Sequence, residues 1–179
     1  YAALVADAGE IPDLMEFLAR LPKGGSVLDL GCGPGHAAKA MLEAGFEVTA
    51  TDASPAMVKA AKDLGVEATQ ATFDDLEDVS IYDGIWASFS LLHAPKEQFP
   101  GYVGALKRAL RPGGVLYLGM KTGEGAHRDR LGRYYAYYSE AELEAELTKA
   151  AFTIVDRRHG EAIGLAGDMD PFVCLTAHG

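Results

Sequence analysis

The sequence predicts an α/β fold in a single domain, a mostly parallel sheet with helices on both faces. Three observations lead there. Apolar, β-branched segments alternate along the chain with stretches of helical periodicity. The run Val27-Leu28-Asp29-Leu30 passes straight into Gly31-Cys32-Gly33-Pro34-Gly35, a strand feeding a bare turn. And 179 residues, 49% of them hydrophobic, suffice for one well-buried core but not for two ordinary domains.

In the first helix Ile11, Leu14, Met15, Leu18 and Leu21 recur at helical spacing and would bury one stripe. Val27, Leu28 and Leu30 suit a strand buried on both faces. A second helix runs from about His36 to Glu43. The half-apolar segment 46–51 forms the second strand and ends at Asp52. Ser54-Pro55 then reads as a helix cap followed by proline in the first turn, opening a third helix to Leu64. Val66 to Ala71 and Ile81 to Ala87 are the third and fourth strands. Val103, Leu106 and Leu110 mark a fourth helix that stops before Pro112-Gly113-Gly114, and Val115 to Met120 is the fifth strand. Ser139 and Glu142 make a capping box for the last helix, and two closing strands follow near Phe152 to Arg158 and Phe172 to Ala177.

Gly31, Gly33 and Gly35 permit positive φ and an approach to the backbone that a Cβ would obstruct, so a ligand is expected to rest on this turn. A dinucleotide pattern would put glycines at 31, 33 and 36, but position 36 is His36. Pro34 also removes an N–H where a pyrophosphate would need one. S-adenosyl-L-methionine tolerates that loss: it needs carboxylate partners for a ribose diol and a methionine zwitterion, with Asp29 near the ammonium end. Asp52, about twenty residues past the glycines, can accept both ribose hydroxyls. Its bland alternative is a turn or capping acid.

VLDLGCGPG, VTATDASPAMV, YDGIWASFSLLHAP and LRPGGVLYLGMK, in that order, resemble the class I S-adenosylmethionine-dependent methyltransferases across almost the whole chain. The segment from Ser90 to Pro95 and the later GRYYAYYS stretch are similar to those of small bacterial members. The resemblance implies a Rossmann-like methyltransferase fold over residues 1–179, with a seven-stranded sheet in the order 3-2-1-4-5-7-6. It implies that the glycine turn lies under the methionine part, that Asp52 takes the ribose and that Met57 packs on the adenine. The cofactor contacts it suggests are Asp29, Gly31, Cys32, Gly33, Asp52, Ala53, Met57, Thr72, Phe73 and Ser88. Thr72 departs from the family pattern, which usually places an adenine-binding acid there; Asp74 or Asp75 could substitute, and the Phe73 N–H could still bond an adenine nitrogen.

His93 borders the carboxyl end of the fourth strand and is the candidate base, since methyl transfer mainly needs alignment and removal of a proton. Its alternative is a bond to local backbone at a helix start. Lys121 to Tyr138 is too polar and glycine-rich for a regular element and reads as a lid over the acceptor. Tyr134, Tyr135, Tyr137 and Tyr138 either line the acceptor pocket or pack alternately on the sheet and at its wet rim.

Net charge of -10, from 16 basic and 26 acidic residues, argues against nucleic acid as acceptor and leaves a small molecule. Arg128, Arg130 and Arg133 form a local basic patch. Cys32 and Cys174 read as reduced thiols, and no histidine spacing suggests a metal. No apolar run approaches the roughly 20 residues that span a bilayer, and no leader pattern is seen, so no membrane association and a cytoplasmic location are expected. Two other readings remain: an NAD(P)-dependent oxidoreductase, disfavoured by Pro34, and a non-catalytic S-adenosylmethionine-binding module, motivated by Thr72.

Overall fold

The computed structural model describes residues 10–163, 167 and 169–179, and of Glu10 and Ile11 only the backbone. The part of the first-helix stripe that falls on the Ile11 side chain therefore lies outside the described residues. Element order is α1 (Glu10–Ala19), β1 (Ser26–Leu30), α2 (His36–Glu43), β2 (Glu47–Asp52), α3 (Pro55–Asp63) and β3 (Ala68–Gln70). There follow β4 (Tyr82–Ser88), α4 (Phe99–Ala109), β5 (Leu110–Lys121), β6 (Ala126–Arg128), β7 (Tyr134–Ala136), α5 (Glu140–Lys149), β8 (Thr153–Ile163) and β9 (Met169–His178). One-turn 3₁₀ segments at Phe73–Asp75 and Leu91–His93 follow β3 and β4.

The large sheet has seven strands in the order β3-β2-β1-β4-β5-β9-β8, and β6 with β7 forms a separate hairpin. Counted within the large sheet alone, this is the expected 3-2-1-4-5-7-6. β1 to β5 pair in parallel, while β9 runs antiparallel to both β5 and β8. Successive residues of β1 point to opposite faces, and both faces are packed. Leu28 and Leu30 join the cluster with Leu106, Leu143 and Phe152 of α4, α5 and the segment before β8. Val27 joins Phe17 of α1, Met41 of α2 and Trp86 on the other face. Each fully buried large apolar side chain of this kind contributes about 1.5–3 kcal/mol relative to exposure. Trp86 stacks on Tyr117 at 3.8 Å and 12°, with Phe17 5.3 Å from the indole. Asp13 ties α1 down by accepting from the Tyr117 hydroxyl at 2.7 Å and from Arg158 Nε at 2.5 Å.

Local signals explain the helix ends. The Ser54 hydroxyl accepts the Met57 N–H at 3.4 Å, with Pro55 in the first turn of α3. Ser139 and Glu142 form the capping box of α5, with bonds of 2.6 and 3.2 Å in the two directions.

Several boundaries differ from expectation. Met15 is 47% exposed, since helical spacing alone does not fix the width of the buried stripe, and Leu21 is buried just beyond the helix. Leu110 opens β5, pairing with Tyr82, and the strand runs through Pro112 and the two glycines with a register shift at Tyr82/Gly84. β8 and β9 are longer than their apolar cores, because hairpin pairing continues from Gly160↔Phe172 to Ile163↔Met169 on half-buried and exposed residues. The segment Lys121 to Tyr138 is not irregular. Ala126, His127 and Arg128 pair antiparallel with Ala136, Tyr135 and Tyr134, a polar strand that sequence alternation could not reveal.

Candidate functional site

The carboxyl ends of β1, β2 and β4 converge on the glycine turn. Gly31 and Gly33 adopt φ of 77° and 53°, a left-handed conformation that glycine takes without strain. Their surroundings differ. A Cβ on Gly31 would lie 2.4 Å from the Ser90 Cβ, whereas one on Gly33 would meet nothing within 4 Å. Gly31 is bare because the chain leaving β4 presses on it; Gly33 is bare towards open space.

Asp52 braces this turn. Its Oδ2 accepts the Gly33 N–H and its Oδ1 accepts the Ser54 N–H, each at 2.9 Å. The bond to Ser54 is the turn-acid role that the sequence left open, whereas the bond to Gly33 was not foreseen. A carboxylate has about four acceptor directions, so two remain for a ligand diol. The Gly31 and Cys32 N–H groups both donate to the Thr51 carbonyl at 2.8 Å. Burial, then the charges of Asp29 and Asp52, push the Cys32 thiol up to about 12. The thiol is therefore no nucleophile at neutral pH; burial is the main cause, and the two carboxylates add a smaller contribution of the sign that favours a cation.

Phe89, also missed, has φ of 51° at the end of β4. A non-glycine residue held there costs of order 1–3 kcal/mol and is typical of sites that redirect the chain. It delivers Ser90 onto Gly31, and the Ser90 hydroxyl is buried with no hydrogen-bond partner among the described residues. Such an orphan at a crevice is a handle for a ligand.

On the adenine side expected from sequence, Thr72 is occupied locally. Its N–H and hydroxyl donate to Asp75 Oδ2 at 2.7 and 2.9 Å, holding the Asp75 carboxyl below the usual range. The 3₁₀ turn thus brings the acid of position 75 back to position 72. Asp74 instead accepts the Tyr102 hydroxyl at 2.9 Å. Met57 is half-buried at the start of α3 beside exposed Ala53, Phe73 is half-buried, and Ser88 ends β4.

Across the sheet, His93 Nδ1 lies 2.8 Å from the Tyr134 carbonyl. A carbonyl only accepts, so Nδ1 carries the proton and Nε2 keeps its lone pair. Desolvation by the packed inner side of the ring, helped by the Arg133 and Lys121 charges, lowers the imidazole pKa despite the Tyr134 bond that opposes it. The neutral form prevails at pH 7. The expected alternative, a bond to local backbone, does not hold as stated: the bonded carbonyl is 41 residues away.

The four tyrosines separate. Tyr135, 4.7 Å from the His93 ring, and Tyr137 line a cavity of about 480 Å³ bounded by the β6–β7 hairpin, the end of β5 and the start of β9. Tyr134, half-buried, contributes its carbonyl. Tyr138 turns inward, 4.8 Å from Phe99, its hydroxyl buried without a partner among the described residues. Alternation of wet and dry rings does not hold, because 135, 137 and 138 are all buried. Among the described residues no group of three His, Cys, Asp or Glu could hold a metal ion, and no helix is long and apolar enough to cross a membrane.

A family model described as a methyltransferase domain matches residues 6–156. A ubiquinone biosynthesis O-methyltransferase of Xanthomonas oryzae pv. oryzae is 35% identical over 109 residues, 56% of this chain and 45% of that one. A cypemycin N-terminal methyltransferase of a Streptomyces species is 37% identical over 101 residues, 53% and 41% of the two chains. The match thus spans less than half the length of either curated relative. In structure, the chain is similar to the 1,6-didemethyltoxoflavin-N1-methyltransferase of Burkholderia thailandensis, with bound 1,6-didemethyltoxoflavin and S-adenosylhomocysteine. The TM-score is 0.80 and the identity 26%, over 97% of this chain and 79% of that one.

Proposed function

The chain belongs to the methyltransferase-domain family, and from that premise we propose that it transfers a methyl group from S-adenosyl-L-methionine to a small-molecule acceptor. One observation carries the reading. The glycine turn is open at Gly33 and sits between the carboxylates of Asp29 and Asp52, whose charge disfavours the Cys32 thiolate and would favour a sulfonium. The same field opposes a pyrophosphate, which speaks against the NAD(P)-dependent alternative.

In this reading Gly31, Cys32 and Gly33 lie beneath the methionine part and Asp29 faces its ammonium. Asp52 takes the ribose hydroxyls, Ala53 and Met57 flank the adenine, and Thr72, Phe73 and the returned Asp75 meet its edge. Ser88 and the orphaned Ser90 hydroxyl close the crevice from β4. The cofactor, when bound, supplies an electrophilic methyl group on sulfur. His93 holds its Nε2 lone pair ready to take the acceptor's proton, while the Tyr134 carbonyl fixes the ring. The β6–β7 hairpin serves as the acceptor-side lid. Residues 1–179 act as one domain, supported by the single large sheet. Cys32 and Cys174 are buried thiols outside any disulfide, which suits a reducing cytoplasm, and the net charge of -10 favours a small molecule over nucleic acid.

Calorimetric titration with S-adenosylhomocysteine and with NADH tests the reading directly. Binding of the nucleoside thioether alone is expected; tight NADH binding without it overturns the assignment. Transfer of radiolabelled methyl from S-adenosylmethionine into an extract metabolite is the matching assay of turnover, and its absence would favour a binding module.

A further inference from the structure

We infer that the acceptor is a small aromatic compound bearing an oxyanion, held in the 480 Å³ cavity under the β6–β7 hairpin with its anionic group on Arg128 and Arg130. The inference rests on the methyl-transfer reading and adds the substrate class. Its first support is charge. The chain is strongly acidic overall, yet four cations line this cavity against three acids. Two of those acids are already neutralised: Asp170 pairs with Lys121, and Asp129 pairs with Arg133 through Nε at 2.8 Å and a second, shorter contact. Arg128 donates only to the Gly132 carbonyl, at 2.8 Å, and Arg130 has no carboxylate partner among the described residues. Glu124, on the same lining, is outnumbered by these two guanidinium groups. Arginine's planar fork matches carboxylate and phosphate, so the uncommitted pair is suited to an oxyanion.

The second support is shape. The same lining includes two stacked rings, His127 on Tyr137 at 4.9 Å and 16°. Tyr135 is pinned beneath Lys121 Nζ, 4.4 Å from its centroid, and Arg133, 5.4 Å away. Rings held in this way give the cavity a rigid aromatic lining, which receives a flat ligand at little entropic cost. The third support is continuity with the reacting end. Tyr135, a wall of the cavity, is the ring against which His93 packs, and His93 ends the turn that Ser90 begins against Gly31. A ligand anchored on the hairpin arginines would extend along Tyr135 towards the proposed base.

The test is ligand-observed NMR on the whole protein saturated with S-adenosylhomocysteine, using 4-hydroxybenzoate, phenyl phosphate and the neutral 4-hydroxybenzamide as probes. At least one anionic probe is expected to bind about tenfold tighter than the amide, a preference that weakens with salt. The two anions distinguish a carboxylate from a phosphate acceptor. The double variant Arg128→Ala/Arg130→Ala should lose the preference yet keep native S-adenosylhomocysteine affinity, and Arg128→Lys/Arg130→Lys should keep part of it. An amide that binds as well as both anions, no binding of any probe, or a preference that survives the alanine variant overturns the inference while the methyl-transfer reading stands. Failure of the native protein to bind S-adenosylhomocysteine removes that reading and this one with it.

Discussion

The β1–β2–β3 half of the sheet and the β4–β5–β9 half build their sites by opposite means. The first uses backbone: open glycines, amides shared with Thr51, and one carboxylate that links Gly33 to Ser54 within a few residues of sequence or one neighbouring strand. The second uses side chains gathered from afar, as when His93 meets Tyr134 and Lys121 meets Asp170. A cofactor site made of main chain tolerates little change in shape. If the hairpin is the acceptor side, as proposed, a site made of side chains there can be re-specified without disturbing the sheet, which is a physical reason for relatives of one fold to treat different acceptors.

This contrast can be broken by single substitutions. The largest effect is expected from His93→Gln, which removes the proposed Nε2 base and should lower turnover by about 10²–10⁴-fold with unchanged S-adenosylhomocysteine affinity. Steady-state kinetics beside calorimetry checks it; equal loss of affinity would merge the two halves. The same residue sets the pH dependence. A base at His93 would work when neutral, and the imidazole pKa is depressed, so kcat/KM in the native protein should fall only below the ordinary histidine range, and that acid limb should vanish in the variant.

Gly31→Ala comes next. Its Cβ would enter the Ser90 side chain in a left-handed backbone, so thermal unfolding should show a loss of about 2–4 kcal/mol. Gly33→Ala has the same backbone strain without the collision and should cost about 1 kcal/mol of stability while still weakening the cofactor. Similar stabilities for the two would show that the open space at Gly33 is illusory. Asp52→Asn should weaken S-adenosylhomocysteine by about 1–3 kcal/mol, measured by calorimetry, through loss of charge-assisted bonds. Smallest is Tyr138→Phe, which deletes a buried hydroxyl lacking a partner among the described residues. Stability should change by less than about 1 kcal/mol, upward if at all; a large loss in denaturant titration would place an unseen partner there.

The same division governs what could be read from sequence. The alternation of elements, the strand order implied by resemblance, the glycine turn, the Ser54 cap and the Ser139 box were legible because each is encoded by residues a few positions apart. Asp52 was singled out, but its bond to Gly33 was not foreseen, since it depends on the register that sets β2 beside β1. Phe89 carries no compositional sign of its left-handed backbone. The hairpin escaped because β6 is three exposed residues, Ala126 to Arg128, with no apolar alternation. The separation of Tyr135 and Tyr137 from Tyr138 likewise depends on where β7 ends and α5 begins.

The chain has a single tryptophan, and Trp86 is sealed between Phe17 and Tyr117 on the face that α1 covers. Its fluorescence should therefore be deaf to events in the cavity under the β6–β7 hairpin and sensitive to the lifting of α1. The molecule thereby contains its own optical gauge of partial unfolding, by which detachment of that helix can be followed apart from global denaturation.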